Sequence, residues 1–221
     1  MQLSNEEEEY NLSLSKFESM LKTNKVLFFD SEEFEEIILH YIDSGKTSLA
    51  KKALKLALEQ HPKSTGLKLV QVEMLVYEDQ LDLADKMLNE LYAIEPNNEE
   101  IYIQKANICS KRDQHEKAVE LLKIALKYTD DYADVYNLIG MEYLFMDNLE
   151  MAKDSFIKCL EEDLEDQSAL YNVVYCFEFL DQNKEAINYL NQYIEKNPYS
   201  EIAWHQIGRL HYGLKEYEDA I

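Results

Sequence analysis

Five histidines, three cysteines and a large excess of carboxylates are the side chains of this 221-residue chain that could make or break bonds. Their spacing argues against such chemistry. His205 and His211 stand six apart, whereas two imidazoles sharing a metal from one helix face are four apart. His40, His61 and His115 are scattered. Cys109, Cys159 and Cys176 form no CxxC pair and no zinc-type cluster, and an odd number of thiols suits a reducing compartment better than disulfides. Runs such as Glu161-Glu162-Asp163 fall where a periodic helix would face solvent, not where a general acid and base converge. No GxSxG elbow, phosphate-binding loop or HExxH pair occurs. The expectation is a chain that is not an enzyme and uses no cofactor or metal.

Composition narrows the class further. Hydrophobic residues make up 46% of the chain, with only 5 Gly and 3 Pro. That is enough apolar surface for a folded body and too few turn residues for a sheet-rich one, so an all-α fold is expected. A formal net charge of −22 opposes binding to nucleic acid or to an anionic membrane surface, both of which need clustered Lys and Arg. It favours a basic partner, or no more than a solvated outer face. No basic segment leading into an apolar run begins the chain, and none of its apolar runs approaches the roughly 20 residues of a membrane span. A cytoplasmic location follows as the expectation.

The elements that must position any functional side chain are set by a repeat. Stepping by 34 residues connects Ala50, Ala84, Ala118, Ala152, Ala186 and Ala220. The same step connects Leu54, Leu88, Leu122, Phe156 and Leu190, and also Phe34, Lys68, Tyr102, Tyr136, Leu170 and Trp204. Within each window apolar residues recur at helical spacing, as in Phe34, Ile37, Ile38 and Tyr41 followed by Leu49, Ala53, Leu54 and Ala57. Two helices of about fourteen residues per window therefore fit, joined by polar turns at Asp43–Lys46, Glu78–Gln80, Arg112–Gln114, Met146–Asn148 and Asp181–Asn183. Ala106, Gly140 and Gly208 stand where a small residue permits close helix approach; Ile38, Val72 and Val174 depart from that rule. Pro62, Pro96 and Pro198 are expected to stop second helices, since Pro lacks the N–H that would continue them. The windows with Asp130 and Leu164 in that place are expected to have less sharply defined ends.

Trp204, Ile207, Gly208 and His211 followed by Ala220, and Tyr136, Ile139, Gly140 and Tyr143 followed by Ala152 and Phe156, resemble the tetratricopeptide repeat pattern W-x2-L-G-x2-Y, A-x3-F, P. The resemblance implies a right-handed superhelical solenoid of antiparallel helix pairs. It covers residues 31–221, with repeats beginning at Ser31, Thr65, Glu99, Ala133 and Gln167 and a truncated sixth at Glu201. It also implies a protein-interaction scaffold whose concave groove takes a partner peptide or helix. The positions that line such a groove hold Asn107, Asn137, Met141, Tyr171, Tyr175, His205, Arg209 and Tyr212 from the third window onward. Leu144, Phe145 and Phe179 also occupy groove positions, with packing between repeats as their plainer role. Chaperone-adaptor members bind acidic C-termini through a carboxylate clamp, but Glu35, Leu39, Leu69 and Val70 stand in the corresponding places here and would not hold a carboxylate.

Residues 1–30 lie outside the repeats. A Ser4-x-x-Glu7 capping box and a face of Tyr10, Leu14, Phe17 and Leu21 read as a helix that covers the first repeat, with Val26–Phe29 as connector and Asp30 and Ser31 as the next N-cap. At the other end the sixth repeat is incomplete at Ile221. The expectation is an N-terminal fragment of a longer array, with an uncapped end open to self-association. Two other readings compete with groove binding. One is an assembly subunit that stacks through its end or convex faces; the other is the scaffold part of a longer protein whose activity lies beyond residue 221.

Overall fold

The computed structural model describes residues 2–23 and 26–215, with side chains from Leu12 onward. Twelve α-helices and no strand occupy the described residues. A compact unit over residues 1–96 holds α1 (Gln2–Thr23), α2 (Ser31–Asp43), α3 (Thr47–Gln60), α4 (Thr65–Tyr77) and α5 (Leu81–Tyr92). A second unit, over residues 97–221, holds α6 (Glu99–Lys111), α7 (His115–Ala125), α8 (Tyr132–Phe145), α9 (Leu149–Glu162), α10 (Gln167–Phe179), α11 (Asn183–Lys196) and α12 (Glu201–Gly213). The architecture is an all-α array of helix pairs, and the pairs α2/α3, α4/α5, α6/α7, α8/α9 and α10/α11 each fill one window.

Local chemistry repeats with the same period as the apolar residues. The N-cap residues of the first helices are Asp30, Ser64, Asn98, Asp131, Asp166 and Ser200, all of types whose side chains can accept from a free N–H. Only the fourth departs from the step of 34. Tyr132 stands in register there and has no suitable acceptor, so Asp131 caps the Asp134 N–H instead and α8 starts one residue early. Just past the end of each first helix, Gly45, Asp79, Asp113, Asp147, Asp181 and Lys215 adopt positive φ, each one step from the last. In the first five hairpins the residue after it donates to the carbonyl five residues back, as in Lys46 N–H to Tyr41 O at 2.7 Å and Asn148 N–H to Tyr143 O at 2.9 Å. The left-handed residue itself donates three back, as in Asp147 N–H to Leu144 O. This is the Schellman closure, and Asp tolerates it better than most non-glycine residues.

The packing follows from residue volumes. Ala50, Ala84, Ala118, Ala152 and Ala186 are fully buried. A Cβ placed on Gly140 would come within 2.6 Å of the Phe156 ring, so α8 approaches α9 only because that position is bare. Ile38, Val72 and Val174 are buried at the equivalent places, in windows where the residue in register with Phe156 is the smaller Leu. In the first unit, Phe17 of α1 is buried against Phe29, Phe34 and Tyr41, with ring centroids 5.8–6.2 Å apart. Leu14 and Leu21 lean on the same cluster.

Some expectations change. α1 reaches back to Gln2, so Ser4 lies inside the helix rather than ahead of it as a cap. The side chains of Glu7 and Tyr10, together with Ala220 and the start of the second helix of the sixth repeat, lie outside the described residues. The window with Asp130 ends loosely as expected, α7 running on through turns from Leu126 to Thr129, but proline alone does not govern how sharply a second helix ends. α9 lacks it and still stops cleanly at Glu162, where Asp163 turns extended, its carboxylate accepts from Glu165 N–H at 2.9 Å, and Tyr193 Oη donates to Leu164 O at 2.6 Å. α5 precedes Pro96 yet runs on from Tyr92 through a helical Ala93 and a further turn. Side-chain hydrogen bonds to the loop do at α9 what a missing N–H does elsewhere.

Candidate functional site

The eight residues singled out for binding all fall on first helices of the second unit: Asn107 on α6, Asn137 and Met141 on α8, Tyr171 and Tyr175 on α10, and His205, Arg209 and Tyr212 on α12. Helical geometry places Asn137 above Met141, Tyr171 above Tyr175 and His205 above Arg209, each pair four apart. Contacts between helices join part of the set. Asn172 Nδ2 lies 3.9 Å from Met141 Sδ, bringing the Met141 face of α8 to α10. Arg209 donates through both terminal nitrogens to the Glu178 carboxylate, at 2.8 and 2.6 Å, and through Nε to Gln206 Oε1. Asn107 is half-buried on α6.

Arg209 is therefore engaged. Its hydrogen bonds to Glu178, acting against partial burial, raise its already high pKa, and the bidentate pair fixes α12 on α10. It acts as a brace, while the free polar capacity lies at Asn137. That residue's Oδ1 is buried and has no hydrogen-bond donor among the described residues, so the amide can take a backbone N–H from an incoming segment once its side chain turns outward.

Two residues weighed mainly as packing are more open than that role requires. Phe179 is 65% exposed and continues the α10 stripe of Tyr171 (48%) and Tyr175 (44%), with its ring centroid 4.3 Å from that of Tyr175. Phe145 rests one ring face on His115, 5.2 Å away, and is 59% exposed. The i, i+4, i+8 spacing of Tyr171, Tyr175 and Phe179 was visible in the sequence; their exposure was not, since core aromatics keep the same spacing. His205 and Tyr212 are exposed on α12, and Trp204 beside them donates Nε1–H to Pro198 O at 2.9 Å.

Burial first, then the adjacent Asp166 carboxylate, pushes the Cys159 thiol up to about 12, and burial raises Cys176 to about 11, so neither is a thiolate at neutral pH. Among the described residues no group of His, Cys, Asp and Glu is arranged to hold a metal ion, and no helix is long and apolar enough to cross a membrane.

Three family models, each described as tetratricopeptide repeat, match residues 75–141, 133–166 and 168–200. No curated protein matches the sequence. Among solved structures, the chain resembles pilF of Pseudomonas aeruginosa at 20% identity, covering 86% of each chain with a TM-score of 0.65. It resembles PilW, described as a type IV pilus biogenesis factor, at 15% identity over 86% of this chain and 88% of that one, with a TM-score of 0.63. YrrB, described as having an unusual peptide-binding site, matches at 15% identity over 76% of this chain and 87% of its own, with a TM-score of 0.54. At these identities the likeness is one of fold.

Proposed function

Because the chain belongs to the tetratricopeptide repeat family, we propose that it is a protein-interaction scaffold whose second unit binds a partner peptide or helix across the first-helix face of α8, α10 and α12. The observation that carries this reading is the exposed stripe of Tyr171, Tyr175 and Phe179 on α10. Large rings held rigid on a helix offer much contact area at little entropic cost, and such residues dominate binding energy at interfaces. Asn137, with its side chain turned outward, adds a hydrogen-bond acceptor, and Met141 is an adaptable apolar neighbour. Proteins of this family are generally non-catalytic scaffolds, and the two raised thiols fit that role. Three free thiols also support a reducing, cytoplasmic setting.

The test starts from a random peptide library selected on the purified chain. Selected peptides should bind the Tyr171→Ala/Tyr175→Ala variant at least about ten-fold more weakly, as loss of two interface rings predicts, while its helicity stays that of the parent. Undiminished binding would remove the α10 stripe from the site.

A further inference from the structure

The first unit holds a cleft with its own chemistry. α2 and α4 meet at a small cleft, with about 50 Å³ of room, lined by Ile42, Thr47, Glu73, Met74, Tyr77 and Glu78. Its walls are mainly apolar, and Tyr77 stands at its side with 73% of its surface open. The two carboxylates in the lining differ. Glu78 is paired with the Lys51 ammonium. Glu73 makes no hydrogen bond or ion pair among the described residues; partial desolvation and the neighbouring Asp43 carboxylate both raise its pKa.

Further along the same faces, Glu35 repeats the situation. Its carboxylate lies against Gly66 at the start of α4, where a side chain would have to displace it, and it has no cationic partner among the described residues. Desolvation, then Glu32, raises its pKa as well. Over the ten first-helix positions corresponding to the binding face of the second unit, α2 and α4 supply Glu32, Glu35, Asp43 and Glu73 and no basic residue. These charges repel one another, and desolvation works against them, so the folded unit gains nothing from keeping them ionised.

We propose that this cleft receives a lysine or arginine side chain from a basic amphipathic segment of a partner protein. Charge and shape select that occupant. A long aliphatic stem fits the Ile42 and Met74 walls, its cation reaches Glu73 and Asp43, and the open ring of Tyr77 offers a cation–π contact. An apolar side chain would desolvate Glu73 further and return nothing, and an acidic one would be repelled. A second cation along the same segment meets Glu35 and Glu32. This site is distinct from the α10 stripe and does not depend on it.

The probe is a fluorescein-labelled synthetic helical peptide of Leu and Lys, with its Leu and Glu counterpart as control, titrated onto the full chain and read by anisotropy. The Glu35→Gln/Glu73→Gln variant should bind the Lys peptide about ten-fold more weakly, the scale expected for losing partly desolvated charge pairs. Glu59→Gln/Glu90→Gln removes the same charge from exposed positions on α3 and α5 and should leave affinity within about two-fold, as for distant screened charges. The Leu and Glu peptide should not bind. Equal losses in the two double variants would mean general attraction to an acidic protein and would overturn the proposal. So would an unchanged affinity in the Glu35→Gln/Glu73→Gln variant. Loss in the Tyr171→Ala/Tyr175→Ala variant in place of the cleft variant would assign the peptide to α10 and equally reject the cleft.

Discussion

Residues 1–96 and 97–215 are built from the same helix pair, with the same buried alanines and the same left-handed turn, yet equivalent first-helix positions present different surfaces. In the first unit they are acidic and aliphatic: Glu32, Glu35, Asp43 and Glu73 beside Leu39 and Ile42. In the second they are largely aromatic and amide-bearing, and Glu178 is matched by a base, Arg209, although Asp134 stands among like charges. A repeat dictates only the residues that one helix shows to the next. The remaining face is free to differ, and that freedom is where two units of one fold acquire separate binding chemistry.

The comparison breaks first at what the units share. Ala186→Leu should destabilise the second unit by ~1–3 kcal/mol, because a fully buried alanine at a helix contact has no room for three more carbons. Gly140→Ala belongs in the same range, since its Cβ would meet the Phe156 ring. Thermal midpoints read both, and an unchanged midpoint for Ala186→Leu would refute the register. The face of the second unit comes next. Asn137→Ala/Tyr171→Ala should weaken selected peptides about ten-fold while shifting the thermal midpoint little, so a large stability loss would move those residues from binding into core packing. Arg209→Ala should cost no more than about 1 kcal/mol, as partly exposed ion pairs do. It tests whether the guanidinium only braces α12: peptide affinity should fall less than for the tyrosines.

The smallest effect is also the most diagnostic of the first unit. Burial and like charge raise the pKa values of Glu35 and Glu73, so the folded state holds their protons more tightly than the unfolded state does. Ionisation at neutral pH therefore opposes folding, and below the ordinary carboxylate range that opposition vanishes. Glu35→Gln/Glu73→Gln should raise the thermal midpoint at pH 7, with the gain shrinking to nothing as the pH falls through the carboxylate range. A gain that stays constant with pH would mean that the charges are not its cause.

Much of the fold was legible because burial imposes a period. Ala50 to Ala186 had to be small and apolar in every window, and the Asp-rich turns carried their left-handed residue in plain view. Helix ends were less legible: proline suggested where α5 and α9 should differ, but the stop at Glu162 depends on Tyr193, which is remote in sequence and adjacent only after folding. The binding residues were legible as a set of positions and not as a set of roles. Arg209 reads as a free cation until its distance to Glu178 is known, and Phe179 reads as core until its exposure is. Glu73 reads as one more acid at a groove position until its surroundings are known.

The sequence by itself determined the repeat, its length, the pairing of helices within each window and the turn chemistry, because each follows from local backbone preference or from residues that recur at a fixed step. Only the tertiary structure decided which side chains on the free faces are already satisfied. Whether Arg209 is engaged, Asn137 Oδ1 orphaned or Glu73 unmatched depends on partners brought by neighbouring helices, and hydrogen bonds and desolvation act over distances that only folding sets.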